Sequence, residues 1–177
     1  MNTPILETER MLLRPPQITD AEAVFANWAT DFEVTKYLRW NAHASIDETL
    51  EWLARTVEGI PSDDSYEWVL IHKESGETFG SAGIFYNEKR SVFEIGYCIM
   101  KKYWNKGLTT EVVREILDFG TRELKQTKFF AMHAKENPAS GKVLEKAGFV
   151  YFEDGEYDSF DGKRVFESRN MMWEGAR

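Results

Sequence analysis

The chain of 177 residues contains one cysteine, so it cannot close an internal disulfide. Its three histidines, at positions 43, 72 and 133, lie far apart and show no Cys/His metal spacing. No metal site is expected. No apolar run approaches the roughly 18 residues of a membrane span. The start, MNTPILETERMLLRPP, lacks a basic head followed by an apolar stretch, so no signal peptide is expected. Basic residues are in deficit, 22 against 30 acidic, which gives a net charge of −8. That balance argues against a nonspecific grip on DNA, because phosphate needs a basic face. It tolerates a cationic substrate. Two phosphate signatures are also missing: there is no G-x-x-x-x-G-K-[ST] run and no G-x-G-x-x-G after a strand. What is present is 42% hydrophobic and 14% aromatic residues, enough for a packed core. The expectation is one domain over 1–177, cytoplasmic and without membrane contact.

Ile5 to Pro15 reads as a strand stopped by Pro15-Pro16. Thr19-Asp20 offers a helix cap, with Val24, Phe25 and Trp28 at helical spacing. Residues 31–43 lack a clean period. Ser45 or Asp47 caps a second helix to about Val57, which Gly59 and Pro61 end. The period then drops to two. Tyr66–His72, Thr78–Tyr86 and Val92–Met100 read as a meander joined by turn residues. A helix follows from Leu108 to about Leu124, then a strand over Phe129–Ala134. Asn137-Pro138 predicts a cap with proline at the first helical position, and Gly148 closes that helix. Phe149–Phe152 and Arg164–Trp173 are the last strands, joined by an acidic loop from Glu153 to Asp161. Seven strands and four helices in this order predict an α+β fold with a mixed sheet.

The chemically informative junction is VFEIGYCIMKKYWNKGLTTE, from Val92 to Glu111. A strand ends, a polar loop turns, and a helix starts at Gly107. The first N–H groups of a helix lack internal partners, and the dipole adds positive potential there. Such a site suits phosphate. Gly107 permits close approach, Thr109 and Thr110 add hydroxyls, and Lys106 adds charge. The plainer alternative is a loop end with two capping threonines.

The order of strand, YWNKGLTTE, helix, strand and ENPASGKVLEKAGF resembles the Gcn5-related N-acetyltransferases (GNAT). Within them the chain is most similar to the ribosomal-protein N-acetyltransferase group. LETERMLLRP, GSAGIFY and FEIGYCI supply further landmarks, so the likeness covers nearly the whole chain. The resemblance implies a twisted, mostly antiparallel sheet of six to seven strands, with about four helices on both faces. It implies acetyl-CoA as cosubstrate, no metal, and a monomer or homodimer. The family's coenzyme loop reads Q/R-x-x-G-x-G/A. Here it falls on Trp104, Asn105, Lys106, Gly107, Leu108 and Thr109, with Trp104 and Thr109 departing from the pattern. By resemblance, backbone N–H groups from Asn105 to Thr110 cradle the pyrophosphate. The preceding strand splays from its neighbour, often at a bulge, so pantetheine pairing falls on Cys98 and Ile99. Asn137 sits beside the pantetheine arm, or serves only as a cap.

Along the strand, Glu94, Gly96 and Cys98 share one face. Gly96 leaves space between the other two, so Glu94 is a candidate base for the amine. Its alternatives are an ion pair or a solvated carboxylate, and Glu67, Glu136 or a water chain to His133 compete for the role. Cys98 reads as a small buried hydrophobe rather than a nucleophile. The family's tyrosine acid would stand four residues before Gly148-Phe149, where this chain has Leu144. Ser140, one turn earlier on the same face, is the replacement, or else only hydrogen-bonds the coenzyme or its own helix. The resemblance places Tyr37, Arg39, Trp40, His43 and Glu67 near the acceptor, with Tyr157 and Phe160 from the last hairpin.

The leading expectation is acetyl transfer from acetyl-CoA to a primary amine by direct attack. The acceptor is a protein N-terminal α-amine or a small molecule. A non-catalytic acyl-CoA sensor is the alternative, and a P-loop hydrolase is disfavoured by the missing lysine-bearing loop.

Overall fold

A computed structural model of the protein describes residues 1–175. Eight strands form one sheet in the order β1-β2-β3-β4-β5-β6-β8-β7. They are β1 (Leu6–Glu7), β2 (Met11–Arg14), β3 (Ser65–His72), β4 (Thr78–Asn87), β5 (Val92–Ile99), β6 (Lys128–Ala134), β7 (Val150–Asp158) and β8 (Val165–Glu174). Every neighbouring pair is antiparallel except β5 and β6. Five α-helices accompany it: α1 (Ala21–Val24), α2 (Phe32–Thr35), α3 (Ile46–Gly59), α4 (Leu108–Arg122) and α5 (Pro138–Ala147).

The expected α+β fold is present, with one more strand and one more helix. The extra strand comes from the start of the chain, where one long strand was expected. Thr8 Oγ1 accepts the Met11 N–H at 3.0 Å and folds the segment into the β1–β2 hairpin. The extra helix is α2, capped by Asp31, whose carboxylate takes the Glu33 N–H at 2.8 Å. A one-turn helix leaves no periodic stripe to read. The helix expected after Thr19-Asp20 starts there as α1, and a 3₁₀ turn over Ile18–Asp20 precedes it, capped by Gln17, whose N–H donates to the Asp20 carboxylate at 2.8 Å. After α1 it widens into a π turn over Phe25–Ala29.

The supposed acidic loop is mostly strand. Glu153 to Asp158 pair with β8, and β7 is one edge of the sheet. Its carboxylates meet cations: Arg90 reaches Glu153 at 2.7 Å and Lys135 reaches Asp154 at 2.9 Å. Charge on an edge strand opposes pairing with another chain.

Helices lie on both faces. α4 and α5 cover one, burying Val112, Val113, Ile116, Phe119 and Leu144 against Ile84, Ile95 and Phe129. α1 and its π turn cover part of the other, where Val24, Trp28 and Ala29 pack on Cys98. Asn137 caps α5, accepting the Ser140 N–H at 3.3 Å, with Pro138 in the first turn as expected. Among the described residues, no helix is long and apolar enough to cross a membrane.

Candidate active site

The sheet is pinched open at its only parallel pair. β5 and β6 are in register at Phe93↔Phe129 and Glu94↔Phe130, and nowhere beyond. Past that point Ile95–Ile99 and Ala131–Ala134 diverge and line a cleft of about 700 Å³. No bulge marks the split: β4 and β5 stay in continuous register. The divergence leaves backbone groups of β5 without a strand partner. Which ones follows from the β4 side. Met100 donates to the Phe79 carbonyl at 2.7 Å, and alternation then turns the Cys98 backbone toward Ser81 on β4. The backbones of Tyr97 and Ile99 face the cleft. The open backbone expected at Cys98 and Ile99 is therefore found at Tyr97 and Ile99 instead.

Below the cleft stands the start of α4. Gly107 caps it at φ +76°, a left-handed conformation that favours glycine. The first-turn N–H groups of Leu108, Thr109 and Thr110 have no protein acceptor among the described residues. Asn105, Gly107, Thr109 and Thr110 line the cleft. Two loop residues have other jobs. Leu108 is a core side chain, 2% exposed, so only its N–H is available. Lys106 places its ammonium 5.1 Å from the Tyr103 ring centre, and its side chain does not line the cleft. The charge expected from Lys106 is supplied at the cleft wall by Lys142 and Lys146 of α5. Their spacing of four on one helix was the signal available in the sequence.

Trp104, where the family pattern has glutamine or arginine, donates its indole N–H to the Ile99 carbonyl at 2.7 Å. It ties the loop to the end of β5. Arg10 braces the loop from outside. Its guanidinium donates to the Lys106 carbonyl at 3.0 Å and pairs with Glu111 at 2.6 Å. Asn137 and Ser140 line the opposite wall, on the first turn of α5.

The Cys98 thiol is buried and 3.3 Å from Ser81 Oγ. Burial pushes its pKa up, so it stays a thiol and lines the site. Glu94 lines the cleft and accepts from Asn87 Nδ2 at 2.8 Å. Gly96 leaves space as expected, since a side chain there would meet only the Phe85 ring, at an ordinary contact distance of 3.7 Å. Glu67 lies off the cleft, in line with Gly83 and Gly96 across β3, β4 and β5. Its Cγ would be 3.1 Å from a Cβ at Gly83, so the carboxylate arm leans over that glycine. Burial without a compensating partner pushes Glu67 up to about 7.

On the acceptor side, Tyr37 and Arg39 line the cleft, joined by Glu33 and Lys36. Trp40 does not. It packs behind, against the Val24–Trp28–Cys98 cluster, with its ring centre 5.1 Å from that of His43. The 36–41 segment is clamped by the β7–β8 hairpin. Arg164 donates to the carbonyls of Lys36, Leu38 and Trp40, each at 3.0 Å. Tyr157 donates to the Tyr37 carbonyl at 2.7 Å, and the Arg39 guanidinium covers the Phe160 ring.

A split sheet beside a helix start with free first-turn N–H groups fits a coenzyme with an amide-bearing arm and a pyrophosphate. The sequence model of the family "Acetyltransferase (GNAT) domain" matches residues 10–150. The chain belongs to the GNAT acetyltransferase family. An uncharacterized N-acetyltransferase of Bacillus subtilis, YoaA, is 31% identical over 147 residues, 82% of each chain. A GNAT-family acetyltransferase from Bacillus anthracis superposes with a TM-score of 0.83 at 22% identity, covering 97% of this chain and 98% of the other. A ribosomal-protein-S5-alanine acetyltransferase from Vibrio fischeri gives 0.82 at 16% identity, with 97% of each chain covered. The protein is thus an acetyl-CoA-dependent N-acetyltransferase. Among the described residues, no cluster of three or more His, Cys, Asp or Glu side chains is placed to hold a metal.

Proposed function

We propose that the protein acetylates a primary amine by direct attack on the thioester, inside the β5–β6 cleft. The observation that carries this is the split itself, with the free first turn of α4 at its foot. The α4 start takes the pyrophosphate, with Lys142 and Lys146 adding charge. Pantetheine lies along the open backbone of Tyr97 and the N–H of Ile99, whose carbonyl is held by Trp104, with Asn137 beside it. Residues of one element then hold the carbonyl carbon, and the other wall presents the amine. Alignment supplies much of the rate.

The amine must reach the carbonyl neutral. Glu94 accepts its proton, directly or through one water. The new N–C bond forms, the nitrogen gives its second proton to solvent, the C–S bond breaks, and its electron pair stays on sulfur. Ser140 gives a proton to that sulfur and is resupplied from the solvent that receives the proton of Glu94. The Tyr97 N–H donates to the carbonyl oxygen as charge builds there. Cys98 takes no covalent part, in line with its raised pKa.

Glu67, just beyond the cleft in line with its wall residue Gly96, draws in the cationic acceptor before the amine loses its proton, and Tyr37 and Arg39 wall the approach. Among amines, a protein N-terminal α-amine is favoured. The chain's landmarks resemble the ribosomal-protein group, and the Vibrio fischeri neighbour is named for an alanine of ribosomal protein S5. An N-terminal peptide brings one ammonium and backbone carbonyls, which suits a wall carrying both Glu33 and Arg39. The lone cysteine fits a reducing cytoplasm.

A thiol-release assay with acetyl-CoA, run across small amines and N-terminal peptides, tests the reading. Acetyl transfer to an α-amine is expected. Coenzyme binding without turnover on any amine identifies a sensor instead.

A further inference from the structure

Tyr97 is the cleft residue whose side chain bridges its two walls. It leaves β5 on the face opposite Glu94 and reaches the first turn of α5. Its hydroxyl lies 2.8 Å from Ser140 Oγ and 3.3 Å from the Ser140 carbonyl oxygen. Both residues line the cleft. Burial holds the phenol far above its ordinary range, so it keeps its proton at any working pH. A permanent donor therefore faces two acceptors on one residue.

The two hydrogen-bond arrangements differ in what they leave for the coenzyme. With the phenol turned to the carbonyl, Ser140 spends its own hydrogen on Tyr97. With the phenol turned to Oγ, the serine hydrogen is free to point into the cleft. Negative charge appearing on sulfur favours the second arrangement, because it attracts that hydrogen and makes Oγ a better acceptor. The switch needs only rotation of two hydroxyls.

We infer that Tyr97 is a positioning residue that aims the Ser140 hydroxyl at the departing sulfur, filling from β5 the place left by the absent helix tyrosine at Leu144. The inference rests on the acid role proposed for Ser140. The Tyr97 side chain acts through Ser140 and not on the coenzyme directly.

The test is a double-mutant cycle of Tyr97→Phe, Ser140→Ala and the pair, read in kcat, acetyl-CoA affinity and thermal midpoint. The expected result is a roughly tenfold loss of kcat in Tyr97→Phe with coenzyme affinity within about twofold. The double variant should be no slower than Ser140→Ala. Losses that multiply would show that Tyr97 works independently and overturn the inference. So would an unchanged kcat in Tyr97→Phe. An unchanged kcat in Ser140→Ala removes the acid role itself, and this inference with it. If Tyr97→Phe does not fold, 3-fluorotyrosine at position 97 keeps the ring and hydroxyl and alters its acidity. Its kcat should then change in the wild-type background and not in Ser140→Ala, and equal changes in both would overturn the inference.

Discussion

The indole N–H of Trp104 closes on the carbonyl of Ile99 at 2.7 Å, so the coenzyme loop is fastened to the strand it follows. The bond fixes where the loop turns, and with it the distance between the open backbone of β5 and the start of α4. Trp104→Phe keeps an aromatic ring and removes the donor. A lost hydrogen bond of this kind is worth about 1 kcal/mol. Acetyl-CoA affinity should weaken about fivefold, measured by calorimetry, with little change in acceptor KM.

Gly107 is the second requirement of that loop. At φ +76° a side chain costs about 1–2 kcal/mol. Gly107→Ala should lower the thermal midpoint by a few degrees and weaken acetyl-CoA binding more than it lowers kcat. Equal affinity for coenzyme would mean that the α4 start does not hold the phosphates.

Glu67 gives a pH dependence with two signs. Its carboxyl is held at about 7, above the ordinary 4.5, because burial penalises the charged form. The folded state therefore keeps a proton that the unfolded state loses. Stability is full below pH 4.5 and falls as pH rises to about 7. Glu67→Gln should stabilise the protein by about 2 kcal/mol at pH 8 and barely at pH 4, allowing for the solvent the half-buried group retains. Function moves oppositely. Acceptor affinity should rise as pH passes 7 in the wild type, and that rise should vanish in Glu67→Gln. Urea melts and acceptor KM over the same pH range check both.

Arg164 forks to three carbonyls of the 36–41 segment, which a lysine cannot do. Arg164→Lys should loosen the wall bearing Tyr37 and Arg39. Acceptor KM should rise about tenfold while acetyl-CoA affinity stays constant, since the coenzyme loop is on the other side of the cleft.

Much of this was written in the sequence where chain order and local chemistry coincide. Asn137-Pro138 and Gly148 bounded α5 because capping is a local matter. Gly107 marked the α4 start for the same reason. Glu94, read from strand alternation, lines one cleft with Ser140 and Asn137, which came from the family likeness. What escaped depends on pairing and direction. Tyr97 went unmarked, since alternation gives a face but not the reach of a phenol to another helix. The Cys98 backbone direction depends on which β4 residues it bonds. Lys106 looked right by position, but its side chain turns onto Tyr103, and the charges at the wall come from α5. The acidic run read as a loop because edge strands carry charge for reasons unrelated to burial.

The central claim is direct transfer between two ligands held together in the split between β5 and β6. Initial velocities measured while acetyl-CoA and the acceptor amine are varied together test it most directly. Intersecting double-reciprocal lines, with no acetyl group on the protein after incubation with acetyl-CoA alone, are the predicted result. Parallel lines with an acetylated enzyme, most tellingly at Cys98, would contradict it.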